Sequence, residues 1–174
     1  MQIEFRQSQA DDAPAYRALR MQALREHPEA FGADVAESEA IPLDTWRSRL
    51  EPQPEESATA ATFVAQAGEA LVGMMTIVRM NGAKVRHSAN IYAVYVDPVY
   101  RGQRIGEQLL AICADWAARR GVMQIKLSVT TTNQSARRLY ERCGFEVYGT
   151  DPAVLKLGDT FYDEYLMVRT LPKL

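Results

Sequence analysis

The chain has 174 residues and a mass of 19.5 kDa, is 47% apolar and 24% charged, and contains 10 Gly and 8 Pro. That is the size of one domain, able to bury roughly 70% of the surface of its unfolded chain, and the composition excludes a disordered, collagen-like or disulfide-dense polymer. Lys plus Arg number 20 against 22 Asp plus Glu, a net charge of −2, which argues against a chain that sheathes nucleic acid or coats an anionic membrane.

Residues 2–6 alternate apolar and polar, the pattern of an edge or half-buried strand. Asp11 and Asp12 offer an N-cap before Ala13, Tyr16, Leu19, Arg20, Ala23 and Leu24. These recur at helical spacing and predict a helix of about four turns that stops near His27 and Pro28. Residues 33–41 are acidic and leave helix and loop both open. Pro42 and Asp44 then open a short helix carrying Trp46 and Leu50, and the Pro-, Glu- and Ser-rich residues 51–59 read as a loop. Thr62–Gln66 and Leu71–Met80 predict a hairpin turned at Gly68 and Glu69, and Ile91–Val96 a third strand.

From Ile105 the apolar period becomes helical, through Leu109, Ile112 and Trp116, until Gly121 ends it. Gln124–Val129 reads as a strand and Ser135–Arg142 as a helix stopped by Gly144. Strands over 145–148 and 161–169 complete the chain. This order predicts an α/β fold in a single domain over residues 1–174, with a mixed, mostly antiparallel sheet flanked by helices. The start, Met1–Arg6, lacks a basic segment followed by an apolar run, and no stretch is long enough to cross a bilayer, so a soluble cytoplasmic protein is expected. Cys113 and Cys143 have no metal-ligand spacing and read as reduced packing residues. His27 and His87 are too isolated for a zinc cluster, and no metal is expected.

The segment from Val94 to Glu107 places a basic, glycine-containing turn between a strand and a helix start. First-turn amides of a helix lack internal partners, carry the positive end of the macrodipole, and are open to an anion where glycine removes the Cβ. Arg101 and Arg104 add charge at the same place; an ordinary turn with solvated arginines is the plainer reading. The dinucleotide Gly-x-Gly-x-x-Gly pattern counted from Gly102 fails at Arg104 and Glu107, and no Gly-Lys-Ser/Thr completes a phosphate loop. In the segment Asn133–Phe145, Asn133 can cap a helix on which Ala136, Leu139 and Tyr140 share a face. Taken alone, Tyr140 reads as packing.

Together these segments resemble the GNAT superfamily of acetyl-coenzyme-A-dependent N-acetyltransferases, over most of residues 1–170 and most sharply from Ile91 to Phe145. The family's pyrophosphate loop, Gln/Arg-x-x-Gly-x-Gly/Ala, falls on Arg101-Gly102-Gln103-Arg104-Ile105-Gly106. Its Asn-x-x-Ala-x-x-Leu-Tyr-x-x-x-Gly-Phe pattern falls on Asn133–Phe145 without a gap. The resemblance implies a sheet splayed between the Val94 strand and the following strand, with the backbone of Val94, Tyr95 and Val96 pairing with the pantetheine arm as an added strand would. It implies that amides of Gly102, Gln103, Arg104, Ile105, Gly106 and Glu107, beside the charge of Arg101, hold the pyrophosphate. Asn133 would touch the arm, and Tyr140 would stand near the sulfur to donate a proton to the departing thiolate. The implied activity is direct transfer from acetyl-CoA to a primary amine of a small molecule or peptide, with no metal and no nucleic-acid or membrane partner; the implied assembly is a homodimer.

Two positions depart from the family. Arg104 replaces the middle glycine, which is acceptable if its φ is negative, and its amide stays available. Ser128 stands five positions before Asn133, where some relatives carry a glutamate base. Freeing the lone pair of a lysine-like amine at pH 7 costs roughly 4 to 5 kcal/mol, against about 1 to 1.5 for an α-amine, so only the first class needs a base. Tyr92, Asp163, Glu164, Glu37 and Glu39 are the candidates, each also readable as a solvated charge or a packed tyrosine. Acceptor recognition is expected from residues 26–60 and a loop over 149–160. There Glu29, Asp34, Glu37 and Glu39 either suit a cationic amine or form a solvated acidic stretch. A non-catalytic acyl-CoA-binding or regulatory module is the competing function.

Overall fold

The computed structural model describes residues 2–172, so residues 1, 173 and 174 of the predicted domain lie outside the described residues. Strand β1 (Ile3–Gln7) pairs with β2 (Ala60–Ala67), β2 with β3 (Ala70–Arg79) and β3 with β4 (Ser88–Val96), all antiparallel. Strand β4 runs parallel to β5 (Gln124–Thr130), beyond which β7 (Thr160–Thr170) and then β6 (Glu146–Leu157) return antiparallel. The seven strands therefore lie in the order β1-β2-β3-β4-β5-β7-β6.

Alternation along the strands feeds two cores, one on each face. Phe63, Ala65 and Ala67 pack with helix α4 (Ile105–Ala118) and with Tyr140 of α5 (Gln134–Arg142). Val64 points the other way, to α1 (Ala13–Glu26) and α3 (Leu43–Leu50), where the rings of Tyr16 and Trp46 lie 5.8 Å apart. Helix α4 is the crossover that a parallel pair requires, and it lies very close to the sheet. A Cβ on Gly73 of β3 would stand 3.0 Å from Cγ2 of Ile105 and 3.2 Å from Cβ of Ala65.

The parallel ladder between β4 and β5 covers Ser88–Asn90 opposite Gln124–Lys126 only. On its other edge β4 bulges: Thr76 opposes Tyr92 and Met74 opposes Tyr95, so Met75 faces both Ala93 and Val94. Ala93 adopts φ +54° to make the extra step.

One open segment is resolved and three local readings are corrected. The open segment 33–41 contains a helix, α2 (Val35–Glu39), because the Asp34 carboxylate accepts the N–H groups of Ala36 and Glu37 at 2.8 and 3.1 Å. Asp12 does not cap α1; its carboxylate takes the Gln9 N–H and both terminal nitrogens of Arg6, tying β1 to the helix entry. The expected loop over 149–160 is the β6–β7 hairpin. Its first strand, β6, sits at the sheet edge, mostly exposed on both faces and bulged at Ala153 (φ +53°), so no alternating apolar pattern marked its extension beyond residue 148. Arg104 has φ +57°, not the negative value expected: the backbone keeps the glycine conformation although the residue changed. Among the described residues, no helix is long and apolar enough to cross a membrane.

Gly73→Ala overpacks the α4–β3 contact and is expected to cost about 1–3 kcal/mol, read as a lower urea midpoint at unchanged m. Arg104→Gly relieves a left-handed residue that costs roughly 1–2 kcal/mol, partly offset by glycine's greater unfolded-state freedom. The same titration should show stability raised by up to about 1 kcal/mol.

Candidate active site

Where β4 and β5 part, a cleft of about 1260 Å³ opens between the two strands, the first turns of α4 and α5, and the segment after α1. Its floor is built from backbone. From Gly102 to Glu107, no N–H finds a protein acceptor among the described residues, and no side chain caps α4. Left-handed residues at Gly102 (φ +82°) and Arg104 curl these amides into a concave nest. Nothing lies within 4 Å of where a Cβ on Gly102 would be, so the nest is open. Gly106 serves a different end: a Cβ there would come 2.8 Å from Cδ2 of Leu139, so its absence lets α4 start directly against α5.

The arginines around the nest differ in their partners. Arg101 donates from Nε to the Val96 carbonyl at 3.3 Å, and its Nη2 lies 3.2 Å from Nε2 of His27. Arg142 donates to Glu107 at 3.2 Å. Arg104 is exposed.

Of the residues singled out in the sequence, Val94, Tyr95, Val96, Arg101, Gly102, Arg104, Ile105, Gly106, Glu107, Asn133 and Tyr140 all line this cleft; Gln103 does not. Tyr95 is also a structural pin. Its hydroxyl donates to Glu26, fastening β4 to the end of α1; burial and that bond push the phenol up, and the bond holds the Glu26 carboxyl below its ordinary range. Asn133 caps α5 as its type and place foretold, Oδ1 accepting the Ala136 N–H at 3.2 Å. Tyr140 is 4% exposed and edge-on to Phe145, and its hydroxyl makes no hydrogen bond among the described residues. Burial pushes its phenol up, so it stays protonated throughout the physiological range.

The candidate bases separate. Tyr92 and the half-buried Glu164 line the cleft, as does Ser128. Asp163 is drawn into structure, its carboxylate accepting the Ala153 N–H of the β6 bulge at 2.8 Å. Glu39 pairs with Arg25, and neither it nor Glu37 lines the cleft. The expected acceptor segments contribute narrowly: His27 and residues 29–33 line the cleft, residues 34–60 and 149–160 do not, and Tyr162 and Glu164 take their place.

Three lining groups escaped the sequence reading. The Thr130 hydroxyl is sealed from water without a partner, Arg20 has an unpartnered Nη1, and Phe31 lies under the Arg20 guanidinium. For Arg20 a signal existed: an arginine among the apolar positions of a helix face.

Residues 16–145 match the family model of the acetyltransferase (GNAT) family. Over 140 residues the chain is 33% identical to the mycothiol acetyltransferase of Brachybacterium faecium, covering 80% of this chain but only 39% of that longer protein. It is 30% identical over 150 residues to a streptothricin acetyltransferase of Streptomyces lavendulae, covering 86% of this chain and 76% of that one. The yncA structure of Salmonella typhimurium, solved with its cofactor acetyl-CoA, is similar in fold, with a TM-score of 0.78 at 20% identity over 100% of this chain and 96% of that one. Because the family match runs unbroken from α1 through both motif-bearing helices, the chain belongs to the acetyltransferase (GNAT) family.

Proposed function

We propose that the protein transfers the acetyl group of acetyl-CoA directly to a primary amine of a small molecule or peptide. The observation that carries this reading is the run of unpartnered amides from Gly102 to Glu107, set at a cleft whose walls are two strands that have left their ladder. The residues present fit such a co-substrate. A nest of amides beside arginines suits a diphosphate, parted strands suit an amide-bearing arm, and the sealed Thr130 hydroxyl needs a polar partner that the protein does not supply.

Acetyl-CoA supplies the acetyl group as a thioester. In the protein, amides of Gly102–Glu107 with the charges of Arg101 and Arg104 hold the diphosphate, and the backbone of Val94–Val96 offers its donors and acceptors to the pantetheine amides. Asn133, its oxygen engaged by α5, has its side-chain nitrogen left to give. Backbone amides near Val96 favour charge that develops on a carbonyl oxygen. Tyr140 keeps its proton: transfer from an ordinary phenol to a thiolate is already uphill by about 2 kcal/mol, and burial widens the gap. Its role is to donate a hydrogen bond to the departing sulfur. On the acceptor side, the carboxylate of the cleft-lining Glu164 takes the proton from the amine, directly or through water, with the Tyr92 hydroxyl as a relay. An α-amine needs little such help, consistent with Ser128 in place of a glutamate.

Titration calorimetry at low salt should show heat with acetyl-CoA, and a screen of amines should release free thiol; a binding module would give the heat without the thiol. Tyr140→Phe should lower kcat by about 10- to 100-fold, the worth of one charge-assisted hydrogen bond, with Kd for acetyl-CoA unchanged within about twofold. A large loss of affinity instead would make Tyr140 a packing residue. Thr130→Val removes an unsatisfied buried hydroxyl, so the unliganded protein should gain about 1 kcal/mol while acetyl-CoA binds more weakly. Unchanged affinity would mean that the ligand leaves that hydroxyl alone.

A further inference from the structure

We propose that the amine acceptor carries a carboxylate, and that Arg20 of α1 is the residue that selects it; this rests on the acetyl-transfer reading above. Arg20 is half-buried in the wall of the cleft, with its guanidinium carbon 4.7 Å from the centre of the Phe31 ring. Among the described residues it makes no ion pair or hydrogen bond, and its Nη1 is sealed from water with no acceptor. The other cleft arginines are provided for: Arg101 by the Val96 carbonyl, Arg142 by Glu107, and Arg104 by solvent.

An unpaired cation in a partly dry wall destabilises the folded state, and a guanidinium cannot escape by losing its proton. Packing does not require it, since neighbouring α1 positions that face the core are Leu19, Ala23 and Leu24. The surrounding acids do not answer it either. Glu39 is held by Arg25, Asp34 caps α2, and Glu29 sits 3.8 Å from Nδ1 of His27. The acidic stretch that would have suited a cationic amine thus lies mostly outside the cleft, and the cleft-lining Glu164, which serves the amine, makes no ion pair with Arg20 among the described residues, so the Arg20 charge itself stays uncompensated. Phe31 covers one face of the guanidinium, and with Nη1 sealed it is the in-plane Nε–Nη2 edge, free of protein acceptors among the described residues, that is left for a planar, two-oxygen acceptor. A carboxylate has that shape and charge.

The test compares thiol release from acetyl-CoA with the coded α-amino acids and with their α-carboxamides. Amidation lowers the basicity of the amine, so reactivity alone favours the carboxamides. Wild type should nevertheless prefer at least one free acid by about 10- to 100-fold in kcat/KM, the range for a hydrogen-bonded charge pair. In Arg20→Met that ratio should collapse at least tenfold through KM, with partial recovery in Arg20→Lys. Arg20→Met should also leave the urea midpoint unchanged or higher, since an unpaired charge has been replaced by an apolar chain of similar length. No preference for any acid in wild type, or a clearly lower midpoint in Arg20→Met, overturns the proposal. A preference for 2-aminoethylphosphonate over every carboxylate overturns it in favour of a phosphoryl acceptor. Absence of heat with acetyl-CoA overturns the transferase reading itself, and the calorimetric arm keeps the two failures apart.

Discussion

The site depends on a parallel pair of strands that stops pairing after three residues. Strands β4 and β5 share a ladder from Ser88 to Asn90 and then part. Backbone groups that leave a ladder must find other partners, and here they face a cleft. Because the pair is parallel, a helix must cross between the end of one strand and the start of the next, and α4 starts beside the gap. A single topological fact therefore brings together unpaired strand edges and unpaired helix-terminal amides.

Holding that arrangement open requires close packing and strain. Strand β4 is bulged at Ala93 on its β3 side and anchored to α1 through the Tyr95–Glu26 bond, so its free edge cannot swing back to β5 without breaking both. Helix α4 is pressed onto β3 at Gly73 and against α5 at Gly106, positions where a Cβ would collide with Ile105 or Leu139. Arg104 then accepts a left-handed backbone so that the chain can turn into α4 with its amides facing outward. An arginine tolerates this conformation poorly, which marks the geometry of the loop, rather than its stability, as what is maintained.

Two polar groups are left without protein partners at the same place. The Thr130 hydroxyl and the Arg20 guanidinium both line the cleft, and both weaken the unliganded fold. Groups that oppose stability and share one cavity are the expected signature of a surface shaped for something other than protein.

Much of this was legible in the residues. Alternating and 3.6-fold apolar patterns marked β1–β5, α1, α3, α4 and α5, because each buries one face against a core. The two motifs, Arg101–Gly106 and Asn133–Phe145, marked the nest and the helix that carries Tyr140, because caps and glycine turns are local chemistry. What stayed hidden was non-local. Strand β6 has little apolar periodicity because it buries little, and α2 is held by one aspartate cap. The sequence by itself determined where most helices and strands lie and where the unpartnered amides at the start of α4 fall, since hydrogen-bond capping and side-chain period act over a few residues. Only the tertiary structure decided that Asp163 braces a bulge, that Glu37 and Glu39 lie outside the cleft, and that Arg20 stands in its wall without a partner. Whether a charge is paired, buried or free depends on neighbours far away in the chain.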